Sequence, residues 1–259
     1  MAHLVKTTAL ILALITMAGC STTASDPTAN WSVSKLYAEA KKNSTAGNYP
    51  TAIEYYETLE SRFPFGVYAI QAQLDVAYTY YKFDEPESAT AAADRFIKLH
   101  PRHEAVDYAY YLKGVINFGL KDSFIDKVYT RDLADYDKSI MQQSYQDFTI
   151  LANRFPESIY TKDALKRMAY LRSQMARSEL KAAEFYLSKG AWVAAANRAK
   201  GILESYQGSD SIQRALEIQL KSYQELGLDD LARDVQRIID LNYNKPATEK
   251  TESYILSDQ

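Results

Sequence analysis

Cys20 is the residue whose type and position most clearly indicate covalent chemistry, because it is the only cysteine among 259 residues. It follows a segment with the three parts of an export signal. These are a positive start at Lys6, an apolar stretch over residues 7–17, and small residues at Ala18 and Gly19. The apolar stretch is well short of the roughly 20 residues that a membrane-spanning helix needs. We therefore predict that residues 1–19 are a removable signal peptide.

The residues from Met17 to Cys20 form a pattern similar to a lipobox, in which the cysteine receives a diacylglycerol and an N-acyl chain. An ordinary signal peptide with a chance cysteine is the alternative. The lipobox accounts better for a lone thiol, which is a liability in an oxidising compartment, and two or more acyl chains anchor a protein stably. Because Ser21 follows Cys20 where an inner-membrane retention signal has Asp, we expect an outer-membrane anchor with the chain facing the periplasm.

His100 and His103 are the other residues that could do chemistry, since imidazoles bind metals and act as bases. No cysteine follows Cys20 to complete a metal site, and we interpret the two histidines as an incidental surface pair. Partial matches to a phosphate loop at 114–121 and to a calcium loop at 135–146 lack residues that those sites require. We predict that the chain is not an enzyme and holds no metal or cofactor apart from the lipid on Cys20.

The charge and composition of the chain exclude one class of partner and favour one fold class. Without Lys6, the mature chain has 29 basic and 33 acidic residues, and no basic cluster indicates nucleic-acid binding. Glycine and proline are scarce, at 9 and 7, whereas tyrosine reaches 21. This composition favours helices packed through small residues over a sheet, which would need more turn signals and β-branched runs.

A repeat runs through the chain, with three positions at constant offsets before each unit's end: Ala or Ser, then an aromatic residue, Ala or Gln, then an apolar residue. The first three units end at Pro64, Pro101 and Pro156, and turn residues around Gly47, Gly190 and Gly227 separate paired helices. Tetratricopeptide (TPR) units have this helix–turn–helix plan, with about 34 residues each. The repeated positions are Ala52, Tyr56 and Leu59; Ala89, Ala93 and Phe96; Ser144, Phe148 and Leu151; Ala195, Ala199 and Ile202; Ala232, Gln236 and Ile239.

The pattern predicts an all-α TPR solenoid of about five units. An irregular helical bundle with Ala-rich seams is the alternative. The long step between the third and fourth units is explained by one helix over Thr161–Ser188, which contains neither glycine nor proline. The predicted segments are a signal peptide at 1–19, the lipidated cysteine and a flexible tether at 20–31, amino-terminal units at 32–118, an acidic insertion at 119–140, carboxy-terminal units at 141–244, and a disordered tail at 245–259.

The first helix of each TPR unit lines the concave face, and in the amino-terminal units this face is rich in tyrosine. Tyrosine offers a rigid contact surface with a hydrogen-bonding tip, so we predict a groove for an extended peptide that carries an aromatic residue and a carboxylate. The alternative is that several of these tyrosines belong only to the core. Groove positions are Ser34, Tyr37 and Lys41; Gln71, Leu74, Tyr78 and Tyr81; Tyr108, Tyr111, Val115 and Phe118.

Three motifs resemble one family in particular: residues 62–68 (RFPFGVY), 94–101 (DRFIKLHP) and 189–198 (KGAWVAAANR). Together they are similar to the BamD (YfiO/ComL) family, whose members are lipoproteins of the machinery that assembles outer-membrane β-barrel proteins (BAM). The resemblance covers essentially the whole mature chain. Val67 stands where the family often has proline, and the acidic insertion differs in detail.

The resemblance implies a non-enzymatic scaffold. Family members bind a POTRA domain of BamA through their carboxy-terminal units, which makes Trp192, Asn197 and Arg198 the expected contact residues, with Arg198 at the position that the family implicates. Other BAM lipoproteins and unfolded outer-membrane barrel proteins are the further expected partners, the latter through their carboxy-terminal signals on the amino-terminal units. The alternative is an outer-membrane TPR lipoprotein adaptor for peptidoglycan enzymes.

Overall fold

A computed structural model of the chain describes residues 26–118 and 138–243, and within these ranges it contains ten helices and no strand. The signal peptide, Cys20, most of the predicted insertion and the predicted tail lie outside the described residues. The helices are α1 (Val33–Thr45), α2 (Tyr49–Arg62), α3 (Val67–Lys82), α4 (Pro86–Leu99), α5 (Val106–Phe118), α6 (Lys138–Arg154), α7 (Thr161–Ser188), α8 (Trp192–Ser205), α9 (Ile212–Glu225) and α10 (Asp229–Asn242).

The predicted turns and stops lie where the helices change direction. Gly47, Gly190 and Gly227 have φ values of +82°, +67° and +68°, a backbone region that residues with a Cβ adopt at a cost. The helices α2, α4 and α6 end two residues before Pro64, Pro101 and Pro156, because the residue before a proline is disfavoured in helical conformation.

The repeated positions form the interior, as predicted. The first four units bury their repeated residues completely, whereas the last unit has Ala232 and Ile239 buried and Gln236 half-buried. The first two repeated positions, four residues apart, lie on one face of each second helix. The Ala or Ser lets the neighbouring helix approach, and in the first and third units the aromatic ring of Tyr56 or Phe148 fills the adjacent space.

The contacts between helices are those of a TPR solenoid. Each described helix packs against the next one in the chain, and the first helices of successive units also touch: α1 with α3, α3 with α5, α5 with α7, and α7 with α9. This row of first helices is the inner wall. The helix predicted over Thr161–Ser188 has these bounds as α7 and contacts α5, α6, α8 and α9.

Two large apolar clusters divide the core. One joins α1 to α4 with Leu112 and Ile116 of α5, and the other extends from Leu74 on α3 to Ile218 on α9. A third, small cluster of Leu216, Val235 and Ile239 fixes the last helix. No helix in the described ranges combines the length and apolar composition of a membrane span.

The entry of the chain into the domain is fastened to the second helix. Asp26 forms an ion pair with Arg62, the last residue of α2, and Arg62 Nη1 donates a hydrogen bond to the carbonyl oxygen of Thr28 at 2.7 Å. Asp26 also accepts hydrogen bonds from the backbone N–H and the hydroxyl of Thr28, at 2.8 and 2.7 Å. Residues 26–31 fall within the segment predicted as a tether, and these contacts attach their first part to α2.

At the insertion, the first described residue is already helical. Lys138 lies in α6, so the last three residues of the predicted 119–140 segment are helical. The ion pair of Lys138 with Glu179 on α7 holds this part of α6 against the inner wall. The remainder of that segment lies outside the described residues.

Candidate functional site

The side chain of Asp75 on α3 binds the side chains of three predicted groove residues. Its carboxylate accepts hydrogen bonds from the Tyr37 hydroxyl at 2.9 Å, from Lys41 Nζ at 3.1 Å and from Gln71 Nε2 at 3.1 Å. The Tyr56 hydroxyl donates a fourth, longer bond at 3.4 Å. The Asp75 side chain is only 13% exposed, so this network joins α1, α2 and α3 beneath the surface of the groove.

Asp75 was not among the residues predicted from the sequence, although it leaves a signal there. Asp75 lies between the buried Leu74 and Val76, and an acidic residue inside an apolar helix requires partners. Gln71 and Thr79 are four residues away on each side, where helical neighbours meet. Thr79 is fully buried and donates to the Asp75 carbonyl oxygen at 2.7 Å.

The tyrosines around Asp75 are held in their protonated form. Burial raises the pKa of Tyr37 and Tyr56 well above the usual value of a phenol, and the negative charge of Asp75 raises both further. Their hydroxyls therefore remain hydrogen-bond donors at any physiological pH. Lys41 supplies the positive charge that pairs with Asp75, and its side chain is 53% exposed.

An open pocket of about 660 Å³ borders this network at Tyr37 and Lys41. Tyr37 and Tyr68 form an aromatic wall, with ring centroids 5.4 Å apart. Lys41 and Lys42 line the same pocket, where Lys41 pairs with Asp75 and Lys42 pairs with Glu39. Both lysine side chains are more than half exposed, so the lining offers N–H donors beside an aromatic wall. The lining residues are Ser34, Tyr37, Ala38, Lys41, Lys42, Thr45, Ala46 and Tyr68.

A second aromatic group lies further along the inner wall. The ring of Tyr160 stacks on Tyr111 with centroids 5.0 Å apart and lies 5.3 Å from Tyr108. The Tyr111 hydroxyl donates to Asp163 at 2.7 Å. These contacts hold the two predicted tyrosines of α5 against the beginning of α7.

The predicted groove tyrosines differ in how much surface they can offer. Tyr78 is 40% exposed, and its ring lies 6.4 Å from that of the half-buried Tyr81. Tyr108 packs against both large apolar clusters, and burial raises its pKa above the usual value. Leu74 is 4% exposed and belongs to the core, so its prediction as a groove residue is wrong. It points between helices, where the central cluster needs an apolar side chain.

The inner wall continues onto α7, beyond the residues selected from the sequence. The Arg167 guanidinium lies over the Phe118 ring, 4.6 Å from its centroid, and donates to Asp163 at 2.6 Å. Tyr170 is 44% exposed and lies 6.0 Å from Phe118. This extension was not predicted, since the predicted groove positions lie only in the first three units.

Asn197 and Arg198 lie together in the carboxy-terminal half, at a pocket of about 270 Å³ between α6, α7 and α8. Arg198 Nη1 donates to Glu179 Oε2 at 2.9 Å, and Lys138 pairs with the other oxygen of Glu179. Burial opposes ionisation of Glu179, but the hydrogen bonds and charges of Lys138 and Arg198 outweigh it and lower its pKa. The lining residues are Lys138, Glu179, Asn197, Arg198, Gly201, Ser205 and Tyr206.

Trp192 occupies a different place from the other two predicted contact residues. It begins α8, and its indole lies over the preceding turn, 3.6 Å from where a Cβ on Gly190 would be. Asn197 and Arg198 are exposed, whereas Trp192 is half-buried. Trp192 therefore shapes the turn into α8, while Asn197 and Arg198 present polar groups to the surface.

His100 and His103 are both engaged in local structure. His100 Nε2 forms a hydrogen bond with Gln73 Oε1 at 2.8 Å, and His103 Nδ1 accepts one from the Ala105 N–H at 3.2 Å. Burial and the nearby His103 lower the pKa of His100. Within the described ranges, no three His, Cys, Asp or Glu side chains are grouped so that they could hold a metal ion.

Comparison with known proteins assigns the chain to one family. The family described as "YfiO: Outer membrane lipoprotein" matches residues 29–238. The chain is 42% identical over 247 residues to the outer membrane protein assembly factor BamD of Neisseria meningitidis serogroup A, covering 95% of this chain and 92% of that one. It is 37% identical over 232 residues to BamD of Vibrio cholerae serotype O1, covering 90% and 96%. A crystal structure of MamA aligns with a TM-score of 0.30 and 19% identity over 83% of this chain and 97% of that one, too distant a likeness to support an argument.

Proposed function

Because the chain belongs to the YfiO family of outer membrane lipoproteins, we propose that this outer membrane protein assembly factor is a non-enzymatic scaffold. In this proposal, lipid on Cys20 holds it to the membrane, and its helical domain faces the periplasm. The observation that carries the proposal is the similarity to BamD proteins over more than nine-tenths of the chain. The relatives' names describe assembly factors.

The scaffold has two binding regions in this proposal. The carboxy-terminal one is the surface around Asn197 and Arg198, which would receive a POTRA domain of BamA. The exposed Arg198 guanidinium supports this assignment, since arginine is enriched at the energetic centres of interfaces. Other BAM lipoproteins would join the same assembly.

The amino-terminal region is the pocket beside Tyr37 and Tyr68, together with the exposed Tyr78. It would receive the carboxy-terminal signal of an unfolded barrel protein, whose aromatic residue would contact the tyrosines. The terminal carboxylate would lie near Lys41 and Lys42. The aromatic wall and the exposed ammonium groups of the two lysines in one open pocket support this assignment.

A pull-down from detergent-solubilised membranes tests the proposal. The full-length lipoprotein should capture barrel-assembly subunits, and Arg198→Glu should reduce that capture at unchanged helicity. Arg102→Glu, on the exposed turn before α5, is the charge-matched control. Capture of cell-wall hydrolases in place of barrel-assembly subunits would favour the peptidoglycan adaptor instead.

Peptide titration tests the amino-terminal region separately. A peptide that ends in phenylalanine should bind more tightly with a free carboxylate than with an amidated end, and Tyr78→Ala should weaken it. Equal binding of the two peptides would remove the carboxylate from the proposal. Mass spectrometry of the mature amino terminus, with Cys20→Ser as the control, tests the lipid anchor.

A further inference from the structure

Glu179 joins the start of α6 to the exposed Arg198 on α8. It lies in the second half of α7, and its side chain is 16% exposed. Each carboxylate oxygen binds a different cation: Oε1 pairs with Lys138, and Oε2 accepts from Arg198 Nη1 at 2.9 Å. One carboxylate therefore fixes two cations from two different helices.

The bonds within the domain leave part of the Arg198 guanidinium available. Arginine carries five N–H donors in a planar fork; Glu179 accepts from Nη1, and Tyr186 also interacts with the guanidinium. The Arg198 side chain is 48% exposed. Next to it, a Cβ added at Gly201 would have no atom within 4 Å, so the approach along this side of α8 is open.

Holding the guanidinium in one place matters for binding. A free arginine side chain loses rotamer freedom when it is immobilised at an interface, and groups ordered beforehand avoid this loss. Glu179 is itself held by Lys138 and by burial, so it is a rigid support for Arg198. The long side chain of Arg198 is thus ordered before a partner binds.

Two cations, Lys138 and Arg198, share the one carboxylate of Glu179, which leaves an excess of positive charge. An isolated Glu–Arg pair would be neutral and would offer little attraction to a second carboxylate. Lys138 adds a second positive charge, so the three side chains together carry a net charge of +1 at the pocket. The local field therefore still attracts an anionic group to the free edge of Arg198.

We propose that Glu179 is a positioning residue for the Arg198 contact, and that it directs the free edge of the guanidinium toward an acidic group of the partner. Lys138 keeps the site positive in this arrangement. The inference rests on the proposed function, in which Arg198 touches the barrel-bearing partner. Glu179 acts through Arg198 and does not itself touch the partner.

Binding of the purified full mature chain to the barrel-bearing subunit captured in the pull-down tests this inference. Glu179→Gln should weaken binding about three- to tenfold, because the amide no longer pairs with either cation. Glu179→Asp, which keeps the charge, should restore part of the affinity. Glu184→Gln is the matched control, since Glu184 lies on the same helix and pairs with a different arginine, Arg214.

The double variant separates positioning from a general structural effect. If Glu179 acts through Arg198, adding Glu179→Gln to Arg198→Ala should cause no further loss of affinity. Two losses that add fully would overturn the inference, and so would unchanged binding of Glu179→Gln. If Arg198→Ala alone leaves binding unchanged, the proposed partner contact fails and this inference fails with it.

Discussion

The ring of Phe148 fills the space in which a side chain at residue 114 would begin. A Cβ built on Gly114 would lie 2.8 Å from Phe148 Cζ and closer still to two further ring carbons. The Ser144 hydroxyl donates to the Gly114 carbonyl oxygen at 2.9 Å in the same contact. The close packing of α5 on α6 therefore depends on a glycine, although the sequence analysis considered Gly114 only as part of a failed phosphate-loop match.

Gly114→Ala should destabilise the domain by about 1–3 kcal/mol, because the added methyl overlaps a fully buried ring. Urea unfolding followed by helicity measures the change. Gly201→Ala is the control, since its Cβ would enter open space and alanine favours a helix by up to about 1 kcal/mol. Equal effects of the two substitutions would contradict the steric explanation.

Asp75→Asn should lower the free energy of unfolding by about 1–3 kcal/mol. The amide loses the ion pair with Lys41 and cannot accept the same set of donors, which leaves buried hydroxyls with weaker partners. Thermal unfolding measures the change, with Glu157→Gln on an exposed turn as the control. A melting temperature equal to that of the control would show that the network does not stabilise the fold.

Tyr78→Ala and Tyr108→Ala should separate groove from core. Tyr108 packs between the two apolar clusters, so its truncation should cost about 2–4 kcal/mol of stability. Tyr78 is 40% exposed, and its truncation should cost less than about 1 kcal/mol while weakening the aromatic-ended peptide. Urea unfolding measures the stability of each variant, and peptide titration measures its affinity for the peptide. A large stability loss for Tyr78→Ala would place that residue in the core.

Stability should fall in acid partly through Glu179. The pKa of Glu179 in the folded state lies below its usual value of 4.5, so its contribution is present above that value and is lost as the pH falls through the lowered pKa. Unfolding measured between about pH 6 and pH 3 should therefore show a shallower decline for Glu179→Gln than for the natural chain. Glu184→Gln accounts for the loss of a carboxylate from the same helix. Parallel curves for the natural chain and Glu179→Gln would contradict the expectation.

The fold was predictable because its signals are local. The offsets between the repeated positions lie within single helices, where spacing along the chain fixes which side chains share a face, and each proline stop lies two residues beyond the helix that it ends. The bounds of α7 were predictable for the same reason, because no glycine or proline interrupts residues 161–188. Leu74 shows the limit, since a position on the inner helix can still point into the core.

The hydrogen-bond networks around Asp75 and Glu179 could not be predicted from the sequence in this way. Asp75 depends on donors from three helices, and the closest of them along the chain, Gln71, gives no indication of Tyr37. Glu179 meets Lys138 across 41 residues and Arg198 across 19. Such convergence is set by how the units stack, which a single sequence does not specify. The predicted residues are therefore peripheral members of both networks, and the carboxylates at the centres, Asp75 and Glu179, were not predicted.

The attachment of Asp26 to Arg62 determines how mechanical load would enter the domain. Five residues separate Cys20 from Asp26, and a fully extended chain would span about 20 Å between the two, so a lipid on Cys20 would be attached through a short tether. A force on that tether would reach Arg62 at the end of α2 through the ion pair with Asp26. The force would thus be shared between α1 and α2. This sharing would oppose the detachment of α1 from the domain when a bound partner pulls on the scaffold.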